Sequence, residues 1–290
     1  MKISGFTIIK NAVINDYPIV EAITSILPVV DEMIVLVGDC DDGTLELVES
    51  IGDAKIKIHR SVWDKTLQSG GVVLADETNK AFQLINPEST WAFYIQADEC
   101  VHEKYHAAIL AACKEHQYNI KVEGLLFQYL HFYATYDYVG DSRTWYDHEV
   151  RIIRNDKKIA AYKDAQGFRV GNRKLWVKPA NAFIYHYGWV KSPEQMMRKN
   201  KNMAAYWNHA SIQAIANSPE QVYNFDEYDS VQKFTGTHPA VMQKRIAAKN
   251  WQIELDVHKK RFSFKDRLLY YFEKLTGIRP FDFRNYKLLR

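Results

Sequence analysis

The sequence predicts an α/β protein in which a central mixed, mostly parallel sheet is flanked by helices and followed by a helical C-terminal extension. Three observations predict it. The first hundred residues alternate short β-rich runs with segments of helical spacing, the pattern of a parallel sheet covered by helices. After a further helix, three long strand-like runs follow with little helix between them, so the second half of the sheet reads as mixed or antiparallel. From about Ser192 onward the pattern turns helical with polar interruptions. The 290 residues, 47% of them hydrophobic, suffice for one large domain and an appendage. The boundary is expected between a sheet domain at 1–191 and an extension at 192–290.

In chain order, GFTIIK is the first strand and YPIVEAITSILPVV carries apolar residues at helical spacing. EMIVLV reads as a buried strand, TLELVESI as a helix, KIKIHRSV as a strand and GGVVLADETNKAFQLI as a longer helix. WAFYIQ is a strand whose carboxyl end delivers ADE. HEKYHAAILAACKEH is helical, and VEGLLFQYLHFY, EVRIIRN and KLWVKPANAFIYHYGWV are strands. PEQMMRKNKNMAAYW and PAVMQKRIAAKNWQIEL are expected as helices.

A formal charge of +3 gives no global field for nucleic acid, and no nucleic-acid motif is present. Cys40, Cys100 and Cys113 are odd in number and dispersed, which argues against a disulfide framework and suits a reducing, cytoplasmic setting. Polar residues interrupt the first twenty positions, and no window is apolar enough for a bilayer span, so neither export nor membrane crossing is expected.

The stretch YIQADECVHEKYH, Tyr94 to His106, admits two readings. Its right half spells H-E-x-x-H, in which His102 and His106 would share zinc while Glu103 activates water. The motif begins only three residues past a strand end, and no third ligand follows. Its left half places Asp98 and Glu99 at the carboxyl end of a strand, where open parallel sheets gather ligands and where carboxylates hold a divalent cation against a diphosphate. A helix cap is the plainer alternative for such an acid. A second acidic cluster, Asp39, Asp41 and Asp42, closes the second strand. Two such strand ends point to a nucleotide and metal site.

These residues carry a resemblance to the family-2-like glycosyltransferases of the GT-A nucleotide-diphospho-sugar transferase fold, of the bacterial surface-polysaccharide or lipopolysaccharide type. The asparagine loop at Ile9, Lys10 and Asn11, the run GDCDDGT, the run QADE, the run HEVRIIRN and the segment FIYHYGWVKSPEQMMRK stand in that family's order, from about Phe6 to Lys199. The resemblance implies transfer of a sugar from a nucleotide-sugar donor to a glycan or lipid-linked hydroxyl, inverting and assisted by Mn2+ or Mg2+.

By the same resemblance, Lys10, Asn11, Asp39 and Asp42 belong to the donor cradle, and Asp98 with Glu99 and His186 to the cation. Gln96 replaces the first acid of D-x-D. Asn79, with Lys80 and Lys191, is carried over to the donor's phosphates; a solvated surface lysine is the plain alternative for the last two. Ser69, Gly70 and Gly71 precede a helix and offer backbone N–H groups to phosphate. An inverting transfer needs a carboxylate that takes the acceptor's proton. Asp164 is the first candidate, an ordinary turn aspartate its alternative, and Asp147 or Glu149 follow.

From His258 to Arg290, ten Lys or Arg stand against three Asp or Glu, interleaved with aromatics and leucines. Such a segment either lies on an anionic membrane face or packs as a helix with a solvated basic side. Other readings compete with the enzyme: a catalytically silent sugar- or nucleotide-binding protein, which Gln96 permits; a nucleotidyltransferase, though no glycine-rich basic loop follows Ile9; and the zinc protease.

Overall fold

The computed structural model describes residues 1–67, 69–207 and 210–290. β1 (Ile3–Ile9) is followed by α1 (Ile19–Ile26), β2 (Glu32–Gly38), α2 (Thr44–Glu49), β3 (Ile56–Ser61), α3 (Val72–Gln83) and β4 (Trp91–Tyr94). Then come β5 (Glu99–Val101), α4 (His106–His116), β6 (Gly124–Ala134), β7 (Tyr138–Gly140) and β8 (His148–Arg154). A three-stranded ribbon of β9 (Ile159–Tyr162), β10 (Gly167–Val170) and β11 (Arg173–Lys174) precedes the long β12 (Trp176–Val190). The chain finishes with α5 (Pro193–Met203), α6 (Ala210–Ala216), β13 (Val231–Lys233), α7 (Gln243–Ala247), α8 (Phe264–Thr276) and β14 (Lys287–Leu288).

The main sheet is mixed and flanked by helices, as the sequence leads one to expect. Along its path the order is β13-β7-β6-β8-β4-β1-β2-β3. β4, β1, β2 and β3 run parallel, while β8 pairs antiparallel with both β4 and β6. Side chains alternate between two buried faces, because strands covered by helices on both sides need apolar residues at every position. Met33, Val35 and Val37 of β2 join one core with Ile19, Ala22, Ile23 and Ile26 of α1. Ile34 and Leu36 join the other with Val73, Ala81 and Phe82 of α3.

Described parts of 192–290 join the sheet and its core. β13 pairs with β7 and β14 with β12, and Tyr286 enters the core beneath α3. The helix expected over PAVMQKRIAAKNWQIEL is cut to a 3-10 turn at Ala240–Met242 and the five residues of α7. Its remainder spans the surface without regular structure, anchored by Trp251 Nε1 donating to the Ala134 carbonyl (3.1 Å) and by the buried Leu255. Tertiary anchoring overrides helical periodicity there.

Two features of the sheet prepare a site. The strand order reverses at β1, whose neighbours are β4 on one side and β2 on the other, and this is the switch point where ligands enter open α/β sheets. β5 also pairs antiparallel with β12, setting Glu99 opposite His186.

Candidate active site

A cleft opens at the carboxyl ends of β1 and β4. It is lined by Lys10 and Asn11 after β1, by Gln96 and Asp98 after β4, by Asp164 from the β9–β10 turn, and by Lys199, Asn202 and Tyr206 from α5 and the turn after it. The cap of α5 aims that helix: Ser192 Oγ accepts from the Gln195 N–H (3.2 Å) and the Gln195 side chain returns the bond to the Ser192 N–H, a capping box closed by Pro193 in the first turn.

His186 and His131 stand in line behind Asp98, outside the cleft lining itself. His131 Nε2 lies 2.8 Å from the Tyr146 carbonyl, which only accepts, so that nitrogen carries the proton. Burial, and His186 beside it, push the His131 imidazole well below its ordinary range and keep it neutral. Its Nδ1 therefore accepts, and His186 Nδ1 donates to it across 3.0 Å. The remaining nitrogen of His186, Nε2, faces Asp98 Oδ2 at 3.7 Å. Burial opposes the Asp98 charge, but His186 and Lys199 outweigh it and hold the carboxyl well below the usual carboxylate range. Unless a proton or a cation lies between them, a nitrogen lone pair and a carboxylate face each other.

Gly188 keeps that space open. A Cβ placed there would lie 2.6 Å from Asp98 Oδ2 and 2.8 Å from His186 Nε2. The pairing of β12 with β6 shifts register between His186 and Trp189, beside the point where Asp98, carried by the segment before β5, faces His186. The donor set, one carboxylate oxygen and one oriented imidazole nitrogen, fits Mn2+ or Mg2+ whose other positions are filled by ligand oxygens and water. Among the described residues no three His, Cys, Asp or Glu side chains form a cage. Lys199 Nζ adds positive charge 3.5 Å from Asp98 Oδ2, held by the Gly188 carbonyl at 2.9 Å.

At the outer rim, Asp39 accepts from Lys10 Nζ (2.6 Å) and from the Trp63 N–H (3.1 Å). Burial works against its charge, and these bonds outweigh it and lower its pKa. Trp63 packs on Tyr206 with ring centroids 5.3 Å apart, making an aromatic wall. Asn11 takes a left-handed backbone, φ 56°, in the tight turn that brings it to the cleft.

Asp164 stands on the other side. Its neighbours Lys163 and Ala165 both have left-handed backbones, φ 55° and 61°, a strained pair of non-glycine residues. Burial raises the Asp164 pKa above its ordinary value, which suits a carboxylate that must take up a proton. A Cβ at Gly71 would meet Asp164 Cβ at 2.9 Å, so α3 must begin with glycine to sit this close. The Gly71 N–H is committed to the Tyr206 carbonyl (2.9 Å) and is not offered to a phosphate.

Several residues expected here have other partners. Glu99 is fully buried, clasped by Arg151 through Nε (2.8 Å) and Nη2 (2.7 Å), and takes the Tyr129 hydroxyl at 2.7 Å. Its oxygens are spent on the core, so it braces the strand end beside Asp98 instead of facing the cation site. Asp42 accepts from the Ile14 N–H and from Thr44, tying two loops together. Asn79 accepts from the Ala161 N–H (2.7 Å) and joins α3 to the ribbon, while Lys80 pairs along α3 with the half-exposed Asp76 and the buried Glu77. Lys191 is buried outside the cleft lining and donates to the Asp16 carbonyl; burial, with Lys199 nearby, lowers its pKa to about 7. Glu149 is buried beside Asn285 with its pKa raised to about 7 by burial, away from the cleft. The imidazoles of H-E-x-x-H part company, His102 going to Thr237 (2.8 Å) and His106 to the Ser25 carbonyl (2.9 Å).

The sequence reading missed His131, Trp63, Tyr206 and Gly188. A signal exists for the first: Tyr129, His131 and Tyr133 alternate on β6 and so share a face with the buried pair. Trp63 and Tyr206 lie far apart in sequence and meet only through the fold.

No protein-family profile and no curated protein matches the sequence. Among solved structures, the chain is similar to S. aureus TarS at 16% identity over 76% of this chain, with a TM-score of 0.38, and spans 40% of that protein's length. Glucosyl-3-phosphoglycerate synthase from Mycobacterium tuberculosis, crystallised with Mn2+, UDP and phosphoglyceric acid, is 17% identical over 46% of this chain and 43% of its own, with a TM-score of 0.31. 4-Diphosphocytidyl-2C-methyl-D-erythritol synthase from Anaerococcus prevotii is 12% identical over 71% of this chain and 95% of its own, with a TM-score of 0.40. Likenesses of this extent carry no inference about the chemistry of the cleft, which its own side chains must supply.

Proposed function

We propose that the protein is a glycosyltransferase that takes a sugar from a nucleotide-sugar donor and passes it, with inversion, to a hydroxyl of a glycan or lipid-linked acceptor. The observation that carries this reading is the oriented pair of Asp98 Oδ2 and His186 Nε2, held 3.7 Å apart around the open position at Gly188. Asp98 and His186 would hold Mn2+ or Mg2+, which when bound neutralises charge on the departing diphosphate.

The chain's own residues complete the assignment. The Trp63–Tyr206 wall and the Lys10–Asp39 pair receive the nucleoside, and Lys10 is placed to reach a phosphate as well. Lys199 adds charge beside the diphosphate. Asp164, in its strained and partly desolvated turn, accepts the proton of the acceptor hydroxyl as that oxygen bonds to the sugar's anomeric carbon and the nucleoside diphosphate leaves.

The test is release of nucleoside diphosphate from a panel of UDP-, GDP-, CDP- and dTDP-sugars with glycan and lipid-linked acceptors, wild type against Asp164→Asn. Turnover lost in the variant with donor binding retained supports the assignment. Equal turnover in both removes Asp164 from it. A second reading has one observation in its favour: Gln96 stands where an acid is expected and turns its amide toward the Ala165 carbonyl (3.3 Å). Nucleotide binding with no turnover on any donor would make the protein a silent binder.

A further inference from the structure

The tail from Ser263 onward presents an apolar face outward. α8 is fastened on one side only: Tyr270 is buried and donates its hydroxyl to Asp141 Oδ2 (2.8 Å), and Glu273 accepts from Arg143 Nη1 (2.8 Å). On the opposite side Phe264, Leu268, Tyr271, Phe272 and Leu275 recur at helical spacing and all are exposed, Phe264 at 81% and Leu275 at 87%. Past the helix, Ile278, Phe281 and Phe283 are exposed as well. Phe281 is 90% exposed and has a left-handed backbone, φ 59°, which is costly for an aromatic residue and has no burial to offset it.

The charges around this stripe have one sign. At 100° per residue, Arg267 and Lys274 flank it on one edge and Lys265 on the other. The nearby acids are engaged: Asp266 accepts from Ser263 Oγ (2.6 Å), Glu273 is held by Arg143, and Asp282 by Arg279 Nε (3.1 Å). Exposed Arg284 and Lys287 follow the loop. An apolar stripe bordered by bases is the pattern of a helix lying in the interface plane, rings and leucines among acyl chains and bases on lipid phosphates.

We propose that α8 and the 277–284 loop form a docking face for an anionic lipid bilayer. Among the described residues no helix is long and apolar enough to cross a membrane, so the contact is peripheral. A second copy fits this face less well. Two such stripes packed by a two-fold axis bring cationic borders against cationic borders, whereas phosphates neutralise them. The docking face is also rigidly joined to the cleft. Arg279 Nη2 donates to the Arg143 and Trp145 carbonyls (3.1 and 2.6 Å), and the Trp145 ring stacks on His131 with centroids 5.1 Å apart. Docking therefore fixes how the Asp98–His186 site faces the bilayer. Docking through the tail requires neither a donor nor turnover.

The experiment is flotation of the full chain with vesicles of phosphatidylcholine alone or mixed with equal parts phosphatidylglycerol. Wild type is expected to bind the anionic vesicles at least about ten-fold more tightly, and less so at high salt. Leu268→Ser/Leu275→Ser and Lys265→Gln/Arg267→Gln are each expected to weaken binding about ten-fold or more with melting temperature unchanged, since all four side chains are exposed. Wild type that fails to float with anionic vesicles, or variants that float as well as wild type, overturns the proposal. A wild-type dimer that the double serine variant converts to monomer assigns the face to a second copy instead.

Discussion

His131 and His186 meet through their Nδ1 atoms at 3.0 Å, and the Tyr146 carbonyl at the far side of His131 decides which of the two donates. This relay leaves His186 Nε2 free to face Asp98. His131→Phe keeps the ring volume and removes the acceptor, so His186 loses its fixed orientation. The expected outcome is a cation affinity for the nucleotide complex about 10- to 100-fold weaker, with the fold retained, read by titrating Mn2+ into protein and nucleotide. Unchanged affinity would show that the relay does not orient His186.

Gly188→Ala tests the space itself. The new methyl would sit 2.6 Å from Asp98 Oδ2 and 2.8 Å from His186 Nε2, so one of the two must move. Cation-assisted nucleotide binding is expected to fall by at least about ten-fold, while nucleotide binding without metal changes little. Calorimetry with and without Mn2+ separates the two effects.

Glu149, buried, and Asp164, partly buried at the cleft, both have raised pKa, and their variants should part. Burial lifts Glu149 from 4.5 to about 7, so between these values the folded chain holds a proton that the unfolded chain has released. The stability this group allows is present below about pH 4.5 and is lost as pH rises through about 7. Glu149→Gln removes that ionisation. It is expected to be more stable than wild type by about 1–3 kcal/mol at pH 8 and equal to it near pH 4, with turnover kept. Denaturant midpoints at the two pH values check the first part. Asp164→Asn is expected to lower turnover by about 10²- to 10⁴-fold with little change in stability.

The Glu99–Arg151 pair, both side chains fully buried, supports the strand end that carries Asp98. Glu99→Gln leaves Arg151 charged without its partner and is expected to cost about 3–5 kcal/mol. The double variant Glu99→Leu/Arg151→Met should recover a large part of that loss. Equilibrium unfolding of the single and double variants measures the difference.

The N-terminal half of the sheet was legible in the sequence because β1, β2 and β4 are nearly continuous apolar runs and β3 alternates isoleucine with polar residues, all separated by helical periods. Asp98, Lys10, Asn11 and Asp164 could be picked out because they stand at strand ends or in turns, and the fold brings these four to one cleft. Glu99 could not be told apart from Asp98, since its partner Arg151 lies fifty-two residues away on β8 and only pairing through the sheet joins them. Lys80, Asn79 and Asp42 read as ligand-bearing by type and position, yet Lys80 is paired on its own helix, Asn79 on the ribbon strand β9 and Asp42 in the loops it joins. The ribbon from β9 to β11 and the two- and three-residue strands β14 and β13 were not visible, because such short strands carry no period of their own. The helix expected after Pro239 failed for the converse reason: its period is present, but anchors such as Trp251 hold the chain on an irregular path.

The most direct test is calorimetric titration of UDP and GDP, with and without Mn2+, into wild-type protein and Asp98→Ala. Binding strengthened by the cation in wild type and lost in the variant is the expected result. Binding of either nucleotide that ignores both the cation and the substitution would contradict the assignment of Asp98 and His186 to a cation-bridged donor site.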